Sequence, residues 1–306
     1  MDSRFMTYET HISSAAGEAG RWWTVALSTD VPGDQPVAAK LGGTDLVLFR
    51  DADGMVRALL DQCAHRRAPL SLGKRLGSGL VECPYHGWRY EGRNGRCMII
   101  PNLSKEERVP KTYRVPAYAV EESDGFIHIW SQGDGAPETA SPSLAPDALG
   151  PETRDAALIA YPYQACIDLL LDAPDIILNI PGVAIVNQHR FGDPSCTADE
   201  IDVRYAAIPA SRRGKGLASD YPFQVRIRAA AHGGNAHVLL TRDNGNTVAA
   251  AHMTFAPVRR TLCTILAYGS RTEQQGSERP MHIGIKRVID PTAARDAVDY
   301  VSRFLK

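Results

Sequence analysis

The chain has 306 residues, with 34 Lys and Arg against 35 Asp and Glu, and a formal net charge of −1. This length favours two domains. A content of 44% hydrophobic and 23% charged residues is typical of a globular protein that buries a core. The charge is balanced and the basic residues form no long run, so a surface for nucleic acid or anionic membranes is not indicated. No segment has the roughly 18 consecutive apolar residues that a membrane-spanning helix needs.

The N-terminal segment and the cysteines bear on the cellular compartment. Residues 1–20 contain no apolar run of the kind that a signal peptide needs. The six cysteines are spread along the chain without the spacing of a disulfide framework, which fits a reducing compartment. We therefore expect a cytoplasmic protein with no membrane and no nucleic-acid partner.

The first part of the chain has the pattern of an antiparallel β domain. Short apolar or β-branched runs, such as WWTVAL, DLVLFRD and FIHIW, follow one another between residues 21 and 130. Turn signals separate them, among them Asp53-Gly54 and Asn94-Gly95. Short and evenly spaced strands are typical of a sandwich or barrel.

A segment rich in Gly, Pro, Ser and Ala, without periodicity, follows at residues 131–155. Such composition is typical of a linker between domains. We assign residues 1–135 to the first domain, 136–155 to the linker and 156–306 to the second domain.

The second domain combines helix and strand patterns, so the predicted class is α+β. A helix is predicted around residues 165–179, and a C-terminal helix begins at Asp290-Pro291, an N-cap followed by proline at the first helical position. DNGN at 243–246 predicts a hairpin. The predicted strands are 201–208, 223–231, 236–242, 247–256 and 261–270.

Two cysteine/histidine pairs carry the clearest chemistry of the sequence. Cys63-x-His65 is followed, after seventeen residues, by Cys83-x-x-His86. Two thiolates and two imidazoles can hold a structural zinc ion in a tetrahedral site. They can also hold a [2Fe-2S] cluster, with both cysteines on one iron and both histidines on the other. The spacing alone leaves both alternatives open.

The residues around these pairs resemble a known family. CAHRRAPLSLG and CPYHGWRYEGRNGRC closely resemble the cluster loops of Rieske non-haem iron ring-hydroxylating oxygenases, in particular single-component aromatic oxygenases and O-demethylases. The resemblance covers roughly residues 20–130 and includes RWWTVAL, IPNL and DGFIHIW. It implies that Cys63, His65, Cys83 and His86 hold a Rieske [2Fe-2S] cluster.

The resemblance also implies a particular second domain. In the family this domain is a helix-grip fold, an antiparallel sheet around helices, with a mononuclear Fe(II) held by two histidines and a carboxylate. The helix that supplies both histidines reads D/E-N-x-x-D-x-x-H-x-x-x-x-H. Here Asp168 and Asp172 match the two acidic positions of that pattern, but Leu169 replaces the asparagine. Asp175 and Ile180 replace the two histidines.

No other residues restore this iron site in the sequence. His189 has no histidine partner at helical spacing, and His232, His237 and His252 lie on predicted strands. The nearest match to the family's carboxylate ligand is Asp296, on the predicted C-terminal helix. We therefore expect that mononuclear iron is absent and that the chain alone does not activate oxygen.

Asp172 has two interpretations. In the family the aspartate at this position bridges an iron histidine to a cluster histidine of the neighbouring subunit in a trimer, so Asp172 is a candidate electron-transfer bridge. It is equally a helix carboxylate close to Pro174, a residue that perturbs the helix.

Three functions follow. The favoured one is an accessory or pseudo-oxygenase subunit that carries an electron and partners an intact Rieske oxygenase subunit in a ring. The second is an active Rieske monooxygenase of a small aromatic or heterocyclic substrate, with unusual iron ligands. The third is a redox module that binds a small ligand. No G-x-G-x-x-G fingerprint for flavin or nicotinamide is present, so a separate reductase or ferredoxin is the expected electron donor.

Overall fold

The structure is a computed structural model in which the chain forms two compact units that divide between Ser143 and Leu144. The first unit consists of short antiparallel strands, and the second combines an antiparallel sheet with helices. The predicted α+β class is therefore confirmed. No helix among the described residues is long and apolar enough to cross a membrane. The structure describes residues 20–104, 106–132, 137, 139–144, 147–212, 221–230, 234–273 and 280–289.

The first unit contains three antiparallel sheets, in the orders β1-β11-β10, β2-β3-β4-β9 and β5-β6-β7-β8. Two 3₁₀ turns, Ser28–Asp30 and Leu70–Leu72, lie between strands. The strands are β1 (Trp22–Leu27), β2 (Val37–Leu41), β3 (Thr44–Arg50), β4 (Val56–Leu60), β5 (Lys74–Arg75), β6 (Val81–Glu82), β7 (Arg89–Tyr90), β8 (Cys97–Ile99), β9 (Ala117–Tyr118), β10 (Val120–Ser123) and β11 (Phe126–Trp130).

Apolar side chains from different sheets meet behind the two cysteine/histidine loops. Val47 and Phe49 of β3 and Leu59 of β4 belong to the same buried cluster as Cys63 and Cys83. Burying each such side chain contributes roughly 1.5–3 kcal/mol. The cysteine ends of both loops are thus fixed by the core of the unit.

A histidine lies inside this unit without access to water. His128 of β11 is fully buried, and its Nδ1 lies 3.0 Å from the hydroxyl of Thr24 on β1. Burial lowers the pKa of His128 to about 4, because the protonated imidazole loses its hydration. The folded unit therefore holds this imidazole neutral at physiological pH.

We expect His128 to make stability depend on pH. Between about pH 6.5 and pH 4 the unfolded chain binds a proton that the folded chain does not, so the free energy of unfolding falls as pH is lowered, by up to about 3 kcal/mol. Urea unfolding at a series of pH values measures this slope. His128→Gln should flatten it, whereas His189→Gln, which replaces an exposed histidine, should leave it unchanged. Equal slopes in all three proteins would contradict the assignment.

The second unit is built on one eight-stranded antiparallel sheet, in the order β12-β20-β19-β18-β17-β16-β14, with β15 paired to β16. A two-stranded sheet pairs β13 with β21. Its elements are β12 (Glu152–Ile159), α1 (Tyr163–Asp172), α2 (Pro174–Ile177), β13 (Leu178–Asn179), β14 (Val183–Arg190), β15 (Ser195–Cys196), β16 (Glu200–Pro209), a 3₁₀ turn (Ala210–Arg212), β17 (Phe223–Ala230), β18 (Asn235–Arg242), β19 (Thr247–Arg259), β20 (Leu262–Arg271) and β21 (Gly284–Ile285).

Buried and more exposed side chains alternate strictly along β17. In β17, Val225 and Ile227 are fully buried, whereas Arg226 and Arg228 lie on the opposite face. The buried face packs on α1, whose Leu169 is fully buried in the same cluster. Because side chains alternate with period two in a strand, this pattern sets one face toward the helices.

The predicted hairpin at 243–246 is confirmed. It connects β18 to β19, and the Arg242 N–H donates to the carbonyl of Asn246 at 2.9 Å. Gly245 has a φ of 84°, which a side chain would disfavour. The turn chemistry visible in the sequence therefore sets the register of this pair.

The predicted helix at 165–179 is broken in the structure. It divides into α1 and α2 at Ala173, whose φ of −142° and ψ of 62° are not helical. Pro174 lacks an N–H and disfavours helical geometry in the residue before it. Asp175 lies in α2, but Ile180 follows both helices, so the two positions predicted to replace the iron histidines do not share a helix.

The boundary of the second unit also differs from the prediction. β12 begins at Glu152, inside the range predicted as linker, because residues 152–155 pair with residues 267–270 of β20. The predicted C-terminal helix from residue 290, with Asp296, lies outside the described residues.

Candidate metal centres

The loop that follows β4 holds the first cysteine/histidine pair in a tight turn. The N–H of Cys63 donates to the carbonyl of Ala68 at 2.9 Å, and the carbonyl of Cys63 accepts from the N–H of Arg67 at 2.8 Å. Arg67 has a φ of 57°. The turn therefore closes on its own backbone, with His65 at its exposed tip.

The second loop repeats this arrangement. The N–H of Cys83 donates to the carbonyl of Trp88 at 2.8 Å, and the carbonyl of Cys83 accepts from the N–H of Gly87 at 3.1 Å. Gly87 has a φ of 68°, so the fourth residue after each cysteine is left-handed. The two loops present their side chains through the same backbone conformation.

The candidate ligand side chains form two pairs. The thiols of Cys63 and Cys83 are buried and in hydrogen-bonding contact, while the rings of His65 and His86 are exposed with centroids 4.6 Å apart. Burial lowers the pKa of His65, and the charges of His86 and Arg66 lower it further, which favours the neutral ligating form. A thiol pair and an imidazole pair fit the two irons of a Rieske [2Fe-2S] cluster.

Aromatic side chains fix the orientation of the two imidazoles. Trp88 stacks on His65 with centroids 4.8 Å apart and planes 4° apart. The ring of Tyr85 lies 3.9 Å from that of His86, and Tyr113 packs against Trp88 at 5.1 Å. The imidazoles are thus held in place from one side while their edges stay accessible.

Tyr90 contacts the buried pair, a residue that the sequence reasoning missed. Its hydroxyl lies 3.1 Å from the sulfur of Cys63 and accepts the N–H of Ala64 at 3.1 Å. The N–H of Ala64 occupies a lone pair of the Tyr90 oxygen. The hydroxyl proton of Tyr90 can therefore be donated to the sulfur of Cys63. Burial, and then contact with Cys63, raise the pKa of Tyr90, so the phenol stays protonated. Only the pairing of β7 between β6 and β8 brings Tyr90 to this position.

We expect Tyr90→Phe to lower the reduction potential of the cluster. A hydrogen bond to a sulfur stabilises the more negative, reduced state. If that bond contributes about 1 kcal/mol, its loss corresponds to roughly 40 mV for one electron. Redox titration followed by circular dichroism or electron paramagnetic resonance measures the shift. Tyr118→Phe is the matched control, because the buried Tyr118 hydroxyl has no hydrogen-bond partner among the described residues. Equal potentials for both variants would contradict a role for Tyr90.

The positions that replace the iron histidines line a cavity in the second unit. Its volume is about 270 Å³. The lining includes Asp175, Asn179, Ile180, Val183 and Lys286. Charged and apolar side chains therefore share the place where the family pattern puts two imidazoles.

These residues do not fit a two-histidine, one-carboxylate iron site. The carboxylate of Asp175 accepts a hydrogen bond from the amide of Asn187, and the ammonium group of Lys286 donates to the backbone carbonyl of Asp175. Ile180 is buried and has no ligand atom. Among the described ranges, which do not include Asp296, no group of three or more His, Cys, Asp or Glu side chains could hold a single metal ion.

Asp172 is held within its own unit. Its Oδ1 accepts from the guanidinium of Arg190 at 3.0 Å, and Arg190 also donates to the hydroxyl of Tyr205 at 3.0 Å. That hydroxyl in turn donates to the carbonyl of Leu171 at 2.6 Å. Burial raises the pKa of Asp172, and Arg190 opposes the shift. This network fastens the end of α1 to β14 and β16.

Three histidines of the second unit, His189, His237 and His252, contact other aromatic rings. His189 stacks on Tyr221 with centroids 4.3 Å apart. His237 and His252 do converge, as a cross-strand pair with rings 4.4 Å apart. They lie on the sheet face opposite the helices, since Ala236 and Val238 of the same strand face the core. His232 lies outside the described residues.

The protonation of His237 follows from its neighbours. The guanidinium of Arg228, which can only donate, lies 2.9 Å from Nδ1. The proton is therefore on Nε2, which donates to the carboxylate of Asp147 at 2.8 Å. Both ring nitrogens are used, so His237 does not offer a lone pair to a metal ion.

Comparison with known proteins agrees with the geometry of the first unit. Residues 21–119 match the family model of the Rieske [2Fe-2S] domain, a range that includes both cysteine/histidine loops. Fold and site together define a protein with a Rieske domain followed by an α+β domain. The chain therefore contains a Rieske [2Fe-2S] domain and is similar to oxygenase components of the Rieske non-haem iron type.

Three relatives illustrate the match. The oxygenase component of chloroacetanilide N-alkylformylase from Rhizorhabdus wittichii (strain DC-6 / KACC 16600) is 38% identical over 160 residues, which cover 49% of this chain and 43% of that protein. The vanillate O-demethylase oxygenase subunit of Pseudomonas sp. (strain HR199 / DSM 7063) is 33% identical over 217 residues, covering 65% and 58%. Chloroplastic protein TIC 55 of Pisum sativum is 31% identical over 154 residues, covering 49% and 28%. The chain spans less than two thirds of each relative.

Solved structures share the fold. Dicamba monooxygenase bound to 3,6-dichlorosalicylic acid has a TM-score of 0.63 and 23% sequence identity, over 82% of this chain and 77% of that chain. NdmA of Pseudomonas putida CBB5 has a TM-score of 0.62 and 20% identity, over 85% and 75%. At these identities the likeness concerns the fold alone.

Proposed function

We propose that this chain carries one electron on a Rieske [2Fe-2S] cluster and serves as an accessory subunit of an oxygenase, without a mononuclear iron of its own. The observation that carries the proposal is a contrast between two sites. The first unit brings together two thiols and two imidazoles, whereas the second unit has Asp175 and Ile180 where the family pattern has histidines.

In this proposal the buried Cys63 and Cys83 would hold one iron of the cluster, and the exposed His65 and His86 would hold the other. The cluster supplies reversible one-electron chemistry, at a potential above that of plant-type ferredoxins. The chain's own residues bury the sulfur ligands, orient the imidazoles and keep one edge of each ring near solvent. That edge is suited to electron transfer between chains, because an imidazole N–H can hydrogen-bond a carboxylate outside the cluster.

Residues of the second unit support the part of the proposal that assigns no mononuclear iron to this chain. Ile180 cannot ligate a metal, and Asp175 is engaged by Asn187. Asp172 remains the candidate bridge to a cluster histidine of a neighbouring subunit. Its Oδ1 accepts from Arg190 at 3.0 Å. The ion pair with Arg190 would then orient the bridge.

We propose two protein partners, one that donates the electron and one that accepts it. A separate reductase or ferredoxin would reduce the cluster, and two relatives that are an oxygenase component and an oxygenase subunit support a donor on another chain. An intact homologue would receive the electron on its own iron, in a trimeric or mixed ring. The trimer and the cytoplasmic location stay predictions.

A second function is favoured by the cavity of about 270 Å³. Apolar walls from Leu178, Ile180 and Val183, with a few polar groups, are typical of a small-ligand site. The chain would then bind a small aromatic or heterocyclic ligand, and this binding would shift the reduction potential of the cluster. A ligand that shifts the cluster potential without turnover would favour this function.

We expect anaerobically purified, fully loaded protein to contain two irons and two acid-labile sulfides per chain. The reason is that the first unit brings together two thiols and two imidazoles, whereas Asp175 and Ile180 stand at the two histidine positions of the second unit. Iron and sulfide analysis of the holoprotein measures this ratio. A third iron that is lost in Asp175→Ala or His189→Ala, together with substrate-dependent oxygen uptake, would contradict the proposal and favour an active monooxygenase.

A further inference from the structure

Two cysteines outside the cluster loops meet in the core of the second unit. Cys166 lies on α1 and Cys263 on β20, and both side chains are fully buried. The thiol of Cys263 donates to the carbonyl of Thr264 at 3.3 Å, and its sulfur is in hydrogen-bonding contact with the thiol of Cys166. Both cysteines are present as thiols, without a disulfide. The proposed function uses neither of them.

The packing of α1 on the sheet directs the two side chains toward each other. Cys263 and Ile265, two residues apart on β20, are fully buried on the face that packs on α1. Cys166 lies on the buried side of α1 with Leu169 and Leu170, at the helical spacing of three and four residues. A disulfide requires that its two side chains converge. The helix and the sheet meet that requirement at this pair.

The surroundings of the pair favour an uncharged product over thiolates. Contact with the Cys166 thiol, and then burial, raise the pKa of Cys263, so the folded unit keeps this thiol protonated. Metal binding would need the deprotonated form of both sulfurs, which is costly in an apolar core. A disulfide carries no charge and avoids that cost. The pair is therefore better suited to oxidation than to metal binding.

An oxidant reaches these thiols only when α1 opens, because neither side chain contacts solvent. α1 has ten residues and no side-chain cap at its N-terminus, where Pro162 precedes it. It ends before Ala173, which is not helical. A helix this short depends on tertiary packing, so it is suited to local opening while the sheet stays folded. In the opened state Cys166 leaves with the helix, and Cys263 stays on the sheet.

We propose that Cys166 and Cys263 are a redox modification site, which a low-molecular-weight disulfide such as oxidised glutathione converts into an intramolecular disulfide. The exposed Cys166 loses its proton, and its thiolate attacks one sulfur of the oxidant, whose S–S bond breaks and releases one thiol. Cys263 then attacks the mixed disulfide and releases a second thiol. The two cysteines lose two protons and two electrons, which leave on the two thiols formed from the oxidant.

The disulfide locks α1 to β20. It closes a loop of roughly 100 residues, so it restricts the unfolded chain and prevents α1 from leaving the sheet. Excess thiol reverses the lock, and in a reducing compartment the resting state is the dithiol. The reduced pair takes up no electron, so it does not enter a redox titration of the Rieske cluster. The proposal concerns the second unit alone and does not depend on the iron content of the chain.

The test incubates the anaerobic holoprotein in buffers with graded ratios of reduced to oxidised glutathione. Free thiols are then alkylated, and mass spectrometry of tryptic peptides shows which cysteines are linked to each other or carry glutathione. Calorimetry measures the melting temperature in each buffer. Cys166→Ala and Cys263→Ala each remove one half of the pair. Cys196→Ala is the matched control, since Cys196 is an exposed cysteine on β15.

We expect the oxidising buffers to link Cys166 to Cys263 in the wild-type chain and in Cys196→Ala, and to raise the melting temperature of the second unit by roughly 5–15 °C. Cys166→Ala and Cys263→Ala should melt at the same temperature in reducing and oxidising buffers. The rate of linkage should increase roughly eightfold from about pH 7 to about pH 8, because the exposed thiol reacts as its thiolate.

Three results would overturn the proposal. The first is that Cys166 and Cys263 stay free in the most oxidising buffer while Cys196 acquires glutathione, which shows that the oxidant was active. The second is that both buried cysteines acquire glutathione without a link between them. The third is a linked protein with an unchanged melting temperature, which would be a link without a lock. The wild-type chain alone decides all three, so the conclusion does not depend on the folding of the alanine variants.

Discussion

The turn around each cysteine is the constraint on which the first unit depends. Each cysteine N–H and carbonyl is closed into the same pair of backbone hydrogen bonds, and the fourth residue after the cysteine must be left-handed. This closure directs the thiol inward to the core formed with Val47 and Phe49, and it leaves the histidine at the exposed tip. The cluster site is therefore asymmetric, with buried sulfur on one side and accessible imidazole on the other. An accessible imidazole edge is suited to electron transfer between chains.

The second unit forms an α+β fold although Asp175 and Ile180 stand where the family pattern has its two histidines. The reason is energetic, because the sheet and α1 are held by apolar burial that needs no metal. A buried imidazole without a partner would be costly at such a position, whereas Ile180 and Leu169 contribute to the core. Asp175 and Asp172 remain, each satisfied by a neighbour, Asn187 and Arg190 respectively. A site can therefore lose its chemistry while its scaffold stays stable.

Sequence reasoning predicted the features that depend on local pattern. The Rieske resemblance followed from the residues around Cys63 and Cys83, and the hairpin followed from DNGN. The α+β class followed from the helix and strand patterns of the second domain. Features that depend on register could not be read in the same way. Tyr90 reaches Cys63 only through strand pairing, and His237 meets His252 only because β18 and β19 pair in one register. The break at Ala173 was visible in Pro174, yet the apolar pattern on both sides suggested one continuous helix.

The central claim is that this chain stores a single electron and has no second iron to pass it to. Anaerobic coulometric titration of the fully oxidised, iron-loaded protein counts those electrons directly. The account predicts one electron per chain, taken up with the spectral change of the Rieske cluster alone. Uptake of a second electron per chain, abolished by a substitution at Asp175 but not at Cys97, would show a redox-active iron in the second unit and contradict the account.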